Sequence, residues 1–205
     1  INGVDRHREK WTAYNTGTGV LPEYKGRAIV DNLYLHSFPL LKEHGIEKCL
    51  LEVICENKRA IKVYERIGFG ISRKLHTYKG VLPRETSGNI LQKCPFREVM
   101  SGGLYKSQHN SWDHLAEAVL LREDDINTWC LGEKNSPTAY LVMDFDGNIL
   151  QLESDEGNYA HLLKAANFPK REVKFKNIPS ERLALLKTLN NFKFSNSLDQ
   201  YEMEM

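Results

Sequence analysis

Apolar positions recur along the chain at two spacings. Between residues 26 and 44 the period is helical: Ile29, Leu33, Tyr34, Leu40 and Leu41 fall on one broad face, with Asp31, Asn32, Lys42 and Glu43 elsewhere. Pro39 lies inside this pattern and predicts a kink near Phe38, because a proline removes a helix hydrogen bond at a cost of about 3 kcal/mol. Gly45 predicts a left-handed termination. Residues 48–54 are a short apolar run, as in a buried strand. Asn57 is a good N-cap for a second helix carrying Ala60, Ile61, Tyr64 and Ile67 on one face, and Gly68 closes it. Residues 69–78 then read as a returning strand. Residues 1–20 read as a hairpin with a polar connection at 5–10. Its Gly17 and Gly19 mark a bulge, a plain turn or a close approach of ligand to backbone.

Residues 79–90, rich in Gly, Pro, Ser and Thr, read as a connection, which sets a domain of residues 1–80, a linker at 81–90 and a second domain at 91–205. The second domain begins with weak patterning. A helix is predicted at 112–122, strands at 126–132 and 138–145, a tight turn at Asp146-Gly147, and a strand at 148–152. A helix at 158–167, a strand at 172–178, a helix at 180–190 capped by Ser180, and a strand at 192–203 follow. Strand, Asn57, helix, Phe69, strand in the first domain is echoed by strand, Asn177, helix, Phe192 or Phe194, strand in the second. The pattern predicts a structural repeat, although strand-helix-strand units are common in any α/β protein.

Composition narrows this picture little. The 205 residues are 41% hydrophobic and 27% charged, ordinary for a globular chain, and can bury a core. A net charge of +1 gives no electrostatic case for nucleic acid or a membrane surface, and no apolar run approaches the roughly 20 residues of a membrane helix. The opening Ile1-Asn2-Gly3-Val4 reads as the middle of a strand, so further residues are expected before it. Cys49, Cys55, Cys94 and Cys130 show no metal-ligand spacing, and the expectation is reduced core thiols in a cytoplasmic protein, with a reactive thiol as the alternative that no local Cys-His context supports at Cys49 or Cys55.

The chemistry concentrates at residues 20–29. A strand stops, the chain turns past Pro22, and a helix is predicted to start near Gly26. The first amides of a helix have no internal partner and form an anion site. Gly26 and Ala28 let a phosphate approach the backbone, and Lys25 and Arg27 add positive charge, so a pyrophosphate is the natural ligand. A solvated basic loop is the bland alternative. Neither G-x-x-x-x-G-K-[ST] nor G-x-G-x-x-G is present.

This stretch resembles the GNAT superfamily of acetyl-CoA-dependent N-acetyltransferases. That family's motif Q/R-x-x-G-x-G/A, at the turn between its fourth strand and third helix, corresponds to Glu23-Tyr24-Lys25-Gly26-Arg27-Ala28, with Glu23 as a departure. Its next block corresponds to Leu51-Glu52-Val53, Asn57, Ala60, Tyr64, Gly68 and Phe69. The match covers residues 11–78, about a third of the chain. The resemblance implies an α/β fold on a mixed sheet, with acetyl-CoA as cosubstrate. The backbone of Tyr24, Lys25, Gly26, Arg27 and Ala28 would hold the coenzyme pyrophosphate. Thr18, Gly19 and Val20 would pair with the pantetheine arm as though it were a strand, with Asn57 near its thiol end. Tyr64 would protonate the departing thiolate, although helical spacing alone makes it a core aromatic. Glu52 is a candidate base, directly or through water; a structural hydrogen-bond acceptor is equally open.

The second domain carries no pyrophosphate motif, and Asp155-Glu156 would repel phosphate, so the resemblance implies tandem GNAT-like domains with a degenerate second copy that completes the acceptor cleft or a homodimer face. The acceptor stays open between a small-molecule amine and a peptide amine, with no nucleic acid or membrane partner. A non-catalytic coenzyme A-binding module and a plain structural α/β protein are the competing readings.

Overall fold

The computed structural model describes residues 3–7, 9–83, 91–101, 103–133, 136–155, 159–164 and 168–205. In chain order, β1 (Gly3–His7), β2 (Lys10–Asn15), α1 (Ile29–Glu43), β3 (Lys48–Ile54), α2 (Lys58–Ile67) and β4 (Gly70–Val81) come first. They are followed by β5 (Gln92–Lys93), α3 (Phe96–Ser101), α4 (Ala116–Leu120), β6 (Ile126–Glu133), β7 (Ser136–Asp144) and β8 (Asn148–Ser154). Last come α5 (Tyr159–Lys164), β9 (Glu172–Pro179), α6 (Leu183–Asn191) and β10 (Ser195–Glu204). The chain divides into two compact units, Ile1–Lys74 with Asp199–Met205, and Leu75–Leu198. The predicted linker at 81–90 lies mostly outside the described residues, as do Glu156 and both ends of the helix predicted at 158–167.

In the first unit β1 and β2 form an antiparallel hairpin, and β2 runs parallel to β3 from Thr12↔Lys48 to Asn15↔Leu51. The end of β10 pairs antiparallel with β3, from Gln200↔Ile54 to Glu204↔Leu50. Cys49, Leu51 and Val53 alternate onto one face of β3. There they meet Tyr34 and Phe38 of α1, Ile61 and Tyr64 of α2, Phe69 and Met203.

Local chemistry explains where this unit departs from the expected boundaries. Strand β2 stops at Asn15 rather than running on to Val20, because the Asn15 carboxamide accepts from Gly17 N at 3.1 Å and bonds the Thr18 hydroxyl, an Asx-type bond that competes with the ladder. Helix α1 starts at Ile29, three residues after Gly26, since Gly26 (φ 82°) and Ala28 (φ 52°) are left-handed and cannot be helical. It continues through Pro39 to Glu43. Gly45 ends it, donating to Lys42 O while Ile46 donates to Leu41 O, and Gly68 ends α2 by the same pair of bonds to Glu65 and, through Phe69, to Tyr64.

The second unit is built on the meander β6, β7, β8, with β8 parallel to β9 at Asn148↔Lys174 and Ile149↔Phe175, and with residues 75–81 of β4 antiparallel to β9. Its core joins Leu141, Leu152, Leu162, Phe175, Leu189 and Phe194. The helix expected at 112–122 is a 3-10 turn at Trp112–His114 and the short α4, because Leu115 is extended (ψ 158°) and Ala116 N donates to the Tyr105 hydroxyl. Ser180 does not cap α6: β9 persists to Pro179, whose carbonyl accepts from Arg182 N, and the helix starts only at Leu183. The last strand starts at Ser195 because Lys193 takes the left-handed position (φ 60°) that ends α6.

The order hairpin, helix, parallel strand, helix, strand thus occurs twice, as β1-β2, α1, β3, α2, β4 and as β7-β8, α5, β9, α6, β10. Phe194 N donates to Leu189 O as Phe69 N donates to Tyr64 O, so Leu189 stands in the place of Tyr64. The residue preceding each helix is Asn57 in one unit and Arg182, not Asn177, in the other.

The expectation of reduced core thiols is corrected for two of the four: the sulfurs of Cys94 and Cys130 are bonded, while Cys49 and Cys55 are free and buried. The pairing of β5 with β6 at Gln92↔Cys130 brings these two cysteines to a Cα–Cα distance of 6.3 Å, a proximity that sequence spacing does not reveal. Among the described residues no helix is long and apolar enough to cross a membrane. Closing a loop of 36 residues is worth about 4 kcal/mol by chain entropy. Chemical denaturation of a Cys94→Ala/Cys130→Ala variant is therefore expected to show a loss of that order, and thiol titration of the unfolded, unreduced protein should find Cys49 and Cys55 alone. Four titratable thiols would refute the bridge.

Candidate functional site

In the first unit, β2 leaves β3 after the Asn15↔Leu51 pair, and the chain from Thr16 to Leu21 is in neither strand nor helix. The parting of two parallel strands at their carboxyl ends is where ligands enter α/β sheets. Asn15 holds the corner: its Nδ2 donates to the Tyr34 hydroxyl at 2.6 Å and to Thr18 Oγ1 at 2.8 Å. Burial, with Tyr64 nearby, pushes the Tyr34 phenol up to about 12. A 3-10 turn at Pro22–Tyr24 then leads into the left-handed residues. The first helical amide with a backbone partner in this turn is that of Asn32, on Ala28 O, and among the described residues no backbone carbonyl accepts from the amides of Gly26, Arg27 or Ala28. An added Cβ at Gly26, Gly17 or Gly19 would meet nothing within 4 Å. Such a run of outward amides is an anion-binding concavity.

Beside it opens a cleft of about 630 Å³, lined from one side by Thr18, Val20, Tyr24, Lys25, Gly26 and Ala28 and from the other by Asn57 and Tyr64 of the α2 segment. That size suits a small-molecule or cofactor site. Eight of the residues expected from the sequence are thereby brought together. Arg27 is exposed, with its guanidinium 5.3 Å from the Tyr24 ring centroid, and Gly19 lies between two lining residues without lining the cleft itself. Glu52 does not line it either; it alternates away from Leu51 and Val53 and stands across from Glu202, which Arg73 holds at 2.6 Å. Asn57 Oδ1 accepts from Ala60 N at 3.2 Å, so the cap uses only the oxygen of its carboxamide. Tyr64 is 9% exposed, edge-on to Tyr34 and Phe69 at 6.4 and 5.9 Å.

Sequence reasoning missed three features here. The tie from Asn15 to Tyr34 needs α1 folded over β2, and no local signal announces it. Arg59 and Lys62 also line the cleft. Their positions on the polar face of α2 were legible, but a solvated face was the natural reading. Arg66 lines it too, held by Asp31 through two bonds of 2.7 Å that keep the Asp31 carboxyl below its ordinary value.

The corresponding place in the second unit is filled. Strands β8 and β9 part after Ile149↔Phe175, and the Arg182 side chain lies buried there. Its Nη2 donates to Leu152 O and to the Tyr159 hydroxyl at 3.2 Å and is ion-paired with Glu153 Oε1 at 3.1 Å, an oxygen 2.9 Å from His109 Nδ1. The remaining space is about 20 Å³.

A parted parallel strand pair, a left-handed amide turn and a capped helix facing them make a ligand cleft at the edge of an α/β sheet. Residues 1–69 match the profile of the Acetyltransferase (GNAT) family. N-alpha-acetyltransferase MAK3 of Arabidopsis thaliana is 32% identical over 72 residues, 35% of this chain and 38% of that protein. The fold is similar to a GCN5-related N-acetyltransferase from Anabaena variabilis (TM-score 0.61, 16% identity, 95% of this chain, 55% of that one). It is also similar to a tandem GNAT protein from the clavulanic acid biosynthesis pathway (TM-score 0.54, 13% identity, 95% of this chain, 74% of that one). The chain spans well under half the length of the curated relative it matches.

Removing one partner of a buried ion pair strands the other, at about 3–5 kcal/mol. Arg182→Ala is expected to destabilise by that amount in urea denaturation, and Arg182→Ala/Glu153→Gln to recover part of it. A loss below about 1 kcal/mol, the range of exposed pairs, would show that Arg182 is not the plug described.

Proposed function

We propose that the chain is an N-acetyltransferase that moves the acetyl group of acetyl-CoA to a primary amine by direct attack, with both substrates bound together. The observation that carries this reading is that the amide turn at Gly26–Ala28 and the Asn57–Tyr64 face of α2 line one cleft. The open space over Gly26 and the outward amides fit a pyrophosphate. The parted edge at Thr18, Gly19 and Val20, whose amides meet no backbone carbonyl among the described residues, fits the pantetheine amides.

When bound, acetyl-CoA supplies a thioester carbonyl that an amine attacks, forming the C–N bond as the C–S bond breaks. In our reading Tyr64 donates its hydroxyl proton to the leaving sulfur. Glu52 receives the amine proton, directly or through water. The acceptor is a small-molecule or peptide amine. We read the second unit as a degenerate copy of the same fold, closed by Arg182. We also propose a cytoplasmic setting, in which the free, buried Cys49 and Cys55 are at home and the Cys94–Cys130 bridge is the element a reducing compartment would open.

One observation favours a second reading, a non-catalytic coenzyme A-binding module. The only carboxylate lining the cleft among the described residues, Asp31, is engaged by Arg66. Turnover over a panel of amines separates the two, since a module binds acetyl-CoA without consuming it.

Acetyl-CoA at 100 times its dissociation constant is expected to stabilise the protein by about 2.7 kcal/mol. Gly26→Val should abolish that stabilisation, because a β-branched residue is strained at φ 82° and fills the space above the turn. Tyr64→Phe should keep the stabilisation and lower turnover about 100-fold. An unchanged melting temperature with ligand would defeat both readings; wild-type turnover in Tyr64→Phe would remove the acid role.

A further inference from the structure

The cleft carries more positive charge than its amide turn needs. Lys25, Arg59, Lys62 and Arg66 line it against one carboxylate, Asp31. Arg66 and Asp31 satisfy each other through two bonds of 2.7 Å. Lys25 adjoins the amide turn, on the same side as Gly26 and Ala28. That leaves Arg59 and Lys62 on the α2 wall, both exposed and neither in an ion pair among the described residues. They are three residues apart on one helix, so their Cβ atoms stand about 5–6 Å from each other on one side, a spacing at which two long cationic side chains converge on a single anion.

Helix chemistry makes this placement unfavourable in the unliganded protein. The N-terminal end of a helix carries partial positive charge and favours acids. Helix α2 begins Lys58-Arg59 and has no acidic residue in its first turn. With a net charge of +1 over the whole chain, this local excess is not a sample of a generally basic surface. An anion bound at this wall would offset both the helix end and the paired cations.

We infer that Arg59 and Lys62 form a phosphomonoester subsite that reads the 3′-phosphate of coenzyme A. The inference rests on the proposed reading of the cleft as a coenzyme A site. The pyrophosphate belongs to the amide turn and Lys25; the third phosphate group of the coenzyme is a dianionic monoester, and a guanidinium beside an ammonium gives it charge-assisted hydrogen bonds from two directions. The chain therefore selects coenzyme A over its 3′-dephospho form, and acyl carriers that lack a free 3′-phosphate bind it less well.

Titration calorimetry at low ionic strength with coenzyme A and 3′-dephospho-coenzyme A tests this. Wild-type protein is expected to bind coenzyme A at least about tenfold more tightly. Arg59→Gln/Lys62→Gln, two exposed substitutions whose folding is checked by melting temperature, should lose that preference by weakening coenzyme A binding alone. Equal affinities in the wild type, or a preference that survives the double substitution, would overturn the subsite while leaving the cleft a coenzyme site. Binding of neither ligand would overturn the cleft reading and the subsite with it.

Discussion

The first unit depends on where β2 stops. Asn15 is the last residue paired to β3, and its carboxamide bonds Gly17 N, Thr18 Oγ1 and the Tyr34 hydroxyl. These bonds take the backbone out of the sheet just where a longer strand would have zipped it to Glu52 and Val53. They also fix α1 by its one buried tyrosine, so that the left-handed turn before the helix faces α2. A buried amide that loses such partners costs about 1–3 kcal/mol per orphaned group. The cleft is therefore held open by a satisfied polar corner rather than by an absence of packing.

What was legible in the sequence was what is encoded within one turn of chain. Gly45 and Gly68 end their helices as their positions demanded, Asn57 caps α2, and Asp146-Gly147 turns the β7–β8 hairpin. The amide turn was legible as an anion site because Gly26 and Ala28 are small, but the sequence put the helix start three residues early; only the φ values distinguish a nest from a first turn. What was not legible is pairing between distant residues. The antiparallel neighbour of β3 is residues 200–204, and the bridge joins residues 94 and 130. Neither leaves a mark in local periodicity, because hydrophobic alternation says which face is buried and not which strand lies alongside.

The site divides along the same line. Eight expected residues meet at one cleft because they sit on two short segments whose local geometry is self-determined. The sequence offers Glu52 as a base by its place in the strand, and the alternation of β3 turns it from the Leu51–Val53 face.

The two units show how little separates a cleft from a core. Each has parallel strands that part, a helix ended by a left-handed residue and a following phenylalanine. In one, the residue before the helix is Asn57, whose short side chain turns back to cap Ala60 N and leaves the cleft open beside it. In the other it is Arg182, long enough to reach Leu152 O and Glu153 across the gap. A guanidinium there supplies hydrogen-bond donors to the parted edge, and Leu189 in the place of Tyr64 removes the hydroxyl. Once an internal cation satisfies the parted edge, Glu153 is buried against it at 2% exposure, and reopening the gap would strand that carboxylate. The fold thus tolerates either state, and side-chain length at one capping position sets which one a unit adopts.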